Sequence, residues 1–279
     1  METNKKYYPN IAQSWGILGA IILCSLVFSP VSLIKMNSAP DLPQLLCYLL
    51  TMGVPFLIFS YVRKSKTGES PYRFEKAPGK IFLLIILGTI TIQAGITLPL
   101  SNLIPMPEWV VRLFLESMNV QGVFSFITIA LAAPILEELI FRGIILDGFL
   151  KRYSSRKAII MSSVLFGIVH LNPWQFVSAA LLGMFIGWIY SKTHNLLLAI
   201  LIHFVNNSIA AVMMLVSDTY QSMDINAIMN ETLVDTYGGT LNAILIISGS
   251  ICIACLSVYL LTKEFNKNKN IILPAEESE

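Results

Sequence analysis

Charge is the scarcest commodity in this sequence. Charged side chains make up 13% of its 279 residues, against about 25% in a soluble domain. That deficit excludes a disordered chain, and it excludes a nucleic-acid binder with a basic surface. A soluble enzyme of this size is a poor fit too, because the remaining charge could not cover its surface. Lysine and arginine total 19 and aspartate and glutamate 17, so net charge says little about partners. Cysteine is nearly as uninformative. Cys24, Cys47, Cys252 and Cys255 all lie in apolar runs. The C-x-x-C formed by the last two has no second pair, so it reads as small side chains packed in a helix rather than a redox or zinc motif. Ten-residue alternating blocks are missing as well, which argues against a membrane barrel. Histidine occurs three times.

What is present is hydrophobic length. Apolar residues make up 55% of the chain and mean hydropathy is +0.68. Eight apolar segments stand out, near 11–34, 44–62, 81–103, 121–150, 158–171, 174–190, 196–217 and 241–262. In lipid each backbone must satisfy its own hydrogen bonds, so these segments are expected to be helices. The fold class is therefore all-α, a polytopic membrane bundle of about eight transmembrane helices. The fourth segment is long for one straight crossing, and Pro134 is expected to bend it or restart a helix. Asn172-Pro173 is expected to end the fifth.

Cation placement sets the expected topology. With the N-terminus in the cytoplasm and every segment crossing, sixteen of the nineteen cations fall on the cytoplasmic side. Lys35 and Arg112 fall outside and Arg142 lies within a span. The positive-inside rule thus favours a multi-pass protein of the cell membrane with both termini cytoplasmic. The first helix is expected to be an uncleaved span, since no A-x-A site precedes Asp41. Three regions follow. Residues 1–120 hold the first three helices and a basic cytoplasmic linker over 63–80, which reads as a solvated loop beside anionic headgroups. Residues 121–217 hold the polar residues discussed next. Residues 218–279 hold an extracytoplasmic loop, the last helix and a polar tail expected to be disordered.

The informative residues are those a bilayer makes costly, at about 2.5–3.5 kcal/mol for a charge at its centre. The fourth segment places Glu137, Glu138 and Arg142 within six residues. Glu138 and Arg142 are i, i+4 on one helical face and can pair. Glu137 points about 100° away and has no local cation, which leaves it as a desolvated general base or acid. His170 ends the fifth segment, one turn after Phe166, whose ring could fix the imidazole. His203 sits early in the seventh, one turn before Asn207. Asn206, at i+3, faces roughly the same way. The third histidine, His194, lies at a short cytoplasmic turn and reads as interfacial.

On these residues the chain resembles the CPBP family of intramembrane proteases, which includes the type II CAAX prenyl endopeptidases and the bacterial Abi and lysostaphin-resistance-like proteins. The shared pattern is E-E-x-x-x-R, then F-x-x-x-H, then H-x-x-x-N. Here it reads Glu137-Glu138-x-x-x-Arg142, Phe166-x-x-x-His170 and His203-x-x-x-Asn207. The resemblance covers about 121–217 and puts the site between helices four, five and seven. It implies that Glu137 and His170 activate a water for attack on a peptide carbonyl. His203 and Asn207 would hold the oxyanion, with Glu138, Arg142 and Phe166 supporting the site. The family is often labelled metalloprotease, and Glu137, His170 and His203 could in principle bind zinc. H-E-x-x-H is absent, however, and Arg142 beside Glu138 would weaken a cation site, so no cofactor is expected.

The expected function is an intramembrane endopeptidase acting on a membrane-associated or lipidated protein or peptide, with the lipid bilayer and that substrate as partners and no nucleic acid. A non-proteolytic scaffold or bacteriocin-immunity protein of the same family is the alternative. A proton-coupled transporter fits less well, since transporters show interrupted helices in matching halves and only the second half here carries intramembrane charge. Short loops and a lysine- and asparagine-rich tail suggest a bacterial source, where prenylated proteins are not the expected substrates.

Overall fold

The computed structural model describes residues 7–117, 122–216 and 225–267. All regular elements among the described residues are helical. In chain order they are α1 (Ile11–Phe28), α2 (Leu42–Thr67), α3 (Gly79–Asn102), α4 (Glu108–Ser117), α5 (Val123–Leu150) and α6 (Ser155–Ile168). Then come α7 (Pro173–Thr193), α8 (Leu196–Val216), the short α9 (Ile225–Asn230) and α10 (Leu233–Thr236), and α11 (Thr240–Lys267). The chain is a multi-pass membrane protein. Seven of these helices, α1, α2, α3, α5, α7, α8 and α11, are long and apolar enough to cross a bilayer.

The ends of the helices follow local chemistry. Asn10 and Gln13 close a capping box at the start of α1. Gly68 ends α2 in the left-handed conformation, its N–H returned to the Lys64 carbonyl. Asn172 caps α7, its side-chain oxygen accepting from the N–H groups of Trp174 and Gln175, and Pro173 fills the first helical position. This is why Asn172-Pro173 separates two segments, as the sequence indicates.

The fifth apolar segment is shorter than a standard span. It forms α6, a helix of 14 residues, about 21 Å long and short of a bilayer's ~30 Å core. It runs antiparallel to α7 as one hairpin. Built side chains on Gly167, Gly183 and Gly187 would meet Phe176, Ser163 and Ile159 respectively, so residue numbers rise on one helix as they fall on the other. Glycine lets these backbones approach closely, the usual packing device between helices in lipid. With the turn from Val169 to Asn172, α6 returns the chain to the level at which α7 begins.

At Pro134 regular α-helix resumes after a π-turn, so the expected restart falls inside one continuous helix. Residues 123–150 form a single 28-residue helix that absorbs its irregularities in two π-turns, Thr128–Ala132 and Leu139–Leu146. The first directly precedes the proline, where a wider turn accommodates the missing N–H.

Two apolar clusters hold the bundle. One gathers Ile17, Leu18 and Ile21 of α1 and Met52 of α2 around Ile140, Phe141, Ile144 and Phe149 of α5, with Leu165 and Phe166 of α6. The other joins Ile81 and Ile85 of α3, Phe185 and Ile186 of α7, Ile202 of α8 and Leu261 of α11. α5 and α6 thus belong to the first cluster, while α8 joins both, through Leu196 and Ile202. Cys252 and Cys255 are free and exposed on α11, not packed inside as the sequence suggests.

The 63–80 linker is shorter and less solvated than expected. α2 continues to Thr67, and Arg63 is buried at 1% exposure. Its guanidinium pairs with Asp147 and donates to the carbonyls of Tyr8, at 3.2 Å, and Ile144, at 3.0 Å, the latter inside the second π-turn of α5. Lys151 lies 3.3 Å from Asp147 and 2.6 Å from Glu69, and its hydrogen bond holds the Glu69 carboxyl below its ordinary range. His194, expected at an interface, faces Asp147 at 3.7 Å. This polar cluster ties the segment before α1, α2, α5 and the α7–α8 turn together at the cation-rich end of the bundle. At the other end Asp41 accepts from the Ser125 N–H at 2.8 Å, and the Trp174 indole donates to the Pro105 carbonyl. Most of the polar tail, and the first part of the 218–240 loop, lie outside the described residues.

Candidate functional site

Midway along α5 the helix presents two carboxylates and a guanidinium to the bundle interior. Glu138 is fully buried. One of its oxygens accepts from Arg142 Nη1 at 3.0 Å and from His203 Nδ1 at 2.8 Å. The first contact is the i, i+4 pair expected from sequence; the second brings in α8. Arg142 also donates from Nη2 to the Gly183 carbonyl on α7 at 3.3 Å. Its guanidinium carbon sits 4.5 Å from the centre of the Phe166 ring, a cation–π contact worth up to about 2 kcal/mol where water is excluded. A Cβ on Gly183 would come within 3.3 Å of that same Nη2, so glycine leaves room for the arginine as well as for α6.

Phe166 organises more than the one histidine expected. Its ring meets His170 edge-on at 5.2 Å and His203 edge-on at 5.6 Å between centroids, with Phe141 at 5.0 Å. Both imidazoles therefore rest on a single phenyl ring. His170 lies just past the end of α6, and its Nδ1 sits 2.8 Å from the Phe166 carbonyl. A carbonyl can only accept, so Nδ1 carries the proton and Nε2 of the neutral ring keeps its lone pair.

Glu137 points away from the Glu138–Arg142 pair, as expected, but it is not isolated. The Tyr48 hydroxyl on α2 donates to its Oε1 at 2.7 Å. Oε2 is buried without a hydrogen-bond partner among the described residues and faces His203 Nε2 at 3.9 Å. His203 is thus set between two carboxylates, bonded to Glu138 and aimed at Glu137. Asn207 is placed one turn further along α8. Its Nδ2 donates to the Ile129 carbonyl at 2.9 Å, inside the first π-turn of α5, where the helical ladder is open. Its Oδ1 accepts from Asn206 at 3.2 Å. The two asparagines act together here, and one N–H of Asn207 remains uncommitted to that carbonyl.

The structure thus joins Glu137, Glu138, Arg142, Phe166 and His203 in direct contact, sets His170 against Phe166, and ties Asn207 to the backbone of α5. Among the described residues no three His, Cys, Asp or Glu side chains are grouped to hold a metal ion. Glu138 and His203 are bonded to each other, with Arg142 alongside. Tyr48 and Gly183 are the site residues that sequence reasoning missed. A tyrosine near the end of an apolar span ordinarily reads as an interfacial anchor, and Gly183 carries no chemistry of its own.

A family model described as type II CAAX prenyl endopeptidase Rce1-like matches residues 119–209. That stretch contains Glu137, Glu138, Arg142, Phe166, His170, His203 and Asn207, and leaves Tyr48 outside. The chain is also similar to the Bacillus subtilis (strain 168) protein named "Putative membrane peptidase YdiL", at 30% identity over 108 residues. That similarity covers 36% of this chain and 44% of the relative, so the chain spans under half of that protein's length. No solved structure matches the chain.

Proposed function

We propose that this chain, similar over residues 119–209 to the type II CAAX prenyl endopeptidases, is an intramembrane endopeptidase that hydrolyses a peptide bond in a membrane-associated or lipidated protein or peptide. The observation that carries the reading is the free, buried Oε2 of Glu137 facing His203 Nε2 at 3.9 Å. A carboxylate in a water-poor site is a competent base, and a nearby imidazole can stabilise the charge that base creates.

In this reading the Glu137 carboxylate takes a proton from a water, and the resulting hydroxide adds to the scissile carbonyl carbon. The lone pair on His170 Nε2 holds that water. His203 Nδ1 donates to Glu138, so a donor at Nε2 requires the imidazolium form, and the two cations, His203 and Arg142, face the two carboxylates, Glu138 and Glu137. The oxyanion accepts from His203 Nε2–H and from the second N–H of Asn207. On collapse the C–N bond breaks, and the proton held by Glu137 passes to the leaving amine. No metal enters these steps. The cation-rich end of the bundle faces the cytoplasm, by the positive-inside rule, with both termini on that side.

The test compares protein termini in membranes of cells carrying the wild-type chain with those of cells carrying Glu137→Ala at equal abundance. Mass spectrometry is expected to find new termini within or beside spans only with the wild type. Identical sets of termini would overturn the proposal.

A further inference from the structure

Tyr48 lies on α2, outside the stretch that resembles the peptidase family, yet it makes the one hydrogen bond that Glu137 receives among the described residues. Resting on the reading of Glu137 as the base, we propose that Tyr48 is a positioning residue that aims this carboxylate. An ionised carboxylate only accepts, so the phenol is the donor in the 2.7 Å contact. That bond occupies Oε1 and fixes the terminal torsion of a side chain whose last bond otherwise turns freely. Oε2 is thereby left toward His203 and open to a water.

The alternatives for Glu137 show what the bond does. Without the phenol, Glu137 has three rotatable bonds and no protein donor at hydrogen-bonding distance among the described residues. Arg142 is taken by Glu138 and His203 Nδ1 by Glu138 as well. The carboxylate would then sample orientations in which neither oxygen faces the site. Misplacement of a reacting group by about 1 Å can cost about 10²-fold in rate. Tyr48 itself is held by packing, since its ring lies against the cluster formed by α1, α2, α5 and α6. Position and donor both come from a helix the catalytic segment does not contain, which makes the N-terminal half part of the machinery rather than an anchor.

The experiment uses purified full-length protein in proteoliposomes and a synthetic peptide spanning a cleavage site mapped by the terminal comparison. Tyr48→Phe keeps the ring and removes the hydroxyl alone. It is expected to lower kcat by about 10–100-fold, the effect of losing one hydrogen bond to a charged group, with KM changed by no more than about twofold. The unfolding temperature is expected to stay within about 2 °C of the wild type. Unchanged kcat overturns the inference. So does a loss of folded protein, or a fall in unfolding temperature matching the fall in rate, since either marks a role in packing alone. Glu137→Gln is measured alongside. If it cleaves at the wild-type rate, the reading of Glu137 as base fails; if it is inactive while Tyr48→Phe is fully active, only the role of Tyr48 fails.

Discussion

Glu137→Gln is expected to lower peptide hydrolysis by roughly 10²–10⁴-fold, the usual contribution of a general base, while the protein remains folded. The substitution is nearly isosteric, and the amide oxygen can still accept from Tyr48 as Oε1 does at 2.7 Å. What disappears is the basic oxygen opposite His203. Glu137 has no ion-pair partner at salt-bridge distance other than that histidine among the described residues, so its charge is not a major strut of the fold. The loss should therefore fall on kcat, with binding and unfolding temperature close to wild type. A rate within about threefold of wild type would be too small for a base and would remove Glu137 from the chemistry.

The second large effect concerns stability. Arg142→Leu is expected to destabilise the fold by about 3–5 kcal/mol, because it takes the guanidinium from a fully buried carboxylate and leaves it His203 Nδ1 alone among the described residues. Glu138 has 0% exposure and its second oxygen already has no partner among the described residues, so solvent cannot compensate. Glu138→Leu should do similar damage by leaving Arg142 with only the Gly183 carbonyl and the Phe166 ring. The double variant Glu138→Leu/Arg142→Leu should recover most of the loss, since two apolar side chains replace a pair that is costly to desolvate. Thermal unfolding in detergent reads all three. Losses that simply add in the double variant would contradict a coupled pair. Hydrolysis should stay low even where stability returns, because His203 loses the carboxylate that orients it.

Much of this was legible before any coordinates, for reasons that can be named. The spans are legible because lipid imposes length and hydropathy on every helix that crosses it. The Glu138–Arg142 pair follows from helical spacing alone, and it sits at 3.0 Å. The fifth segment shows less of its helix in the sequence, because its apolar stretch runs on through Val169, past the helix end at Ile168. Pro134 is legible as an irregularity within the helix rather than as its end. A proline signals a break in a regular helix, but the π-turn at Thr128–Ala132 absorbs it.

The contacts that escaped the sequence are those between distant segments. Arg63 looked like a loop cation because it stands in a run with Lys64 and Lys66, and only the fold shows it against Asp147. The separation of 89 residues between Tyr48 and Glu137 has no periodicity to betray it. His203 was paired in the sequence with Asn207, its neighbour on the same helix, whereas its strongest bond runs across to Glu138. Local spacing thus located the residues of the candidate site, while their partners were decided by packing between helices.

The central claim is that a water activated by Glu137 attacks the peptide bond directly. A single turnover in ¹⁸O-labelled water, with enzyme in excess over the mapped peptide in proteoliposomes, tests it most directly. The expected result is one ¹⁸O in the new C-terminal carboxylate of the product from the first turnover, and no product with Glu137→Gln. Product whose first-turnover carboxylate carries only ¹⁶O would mean that a protein oxygen attacks instead, and absence of cleavage by the wild type would contradict the account altogether.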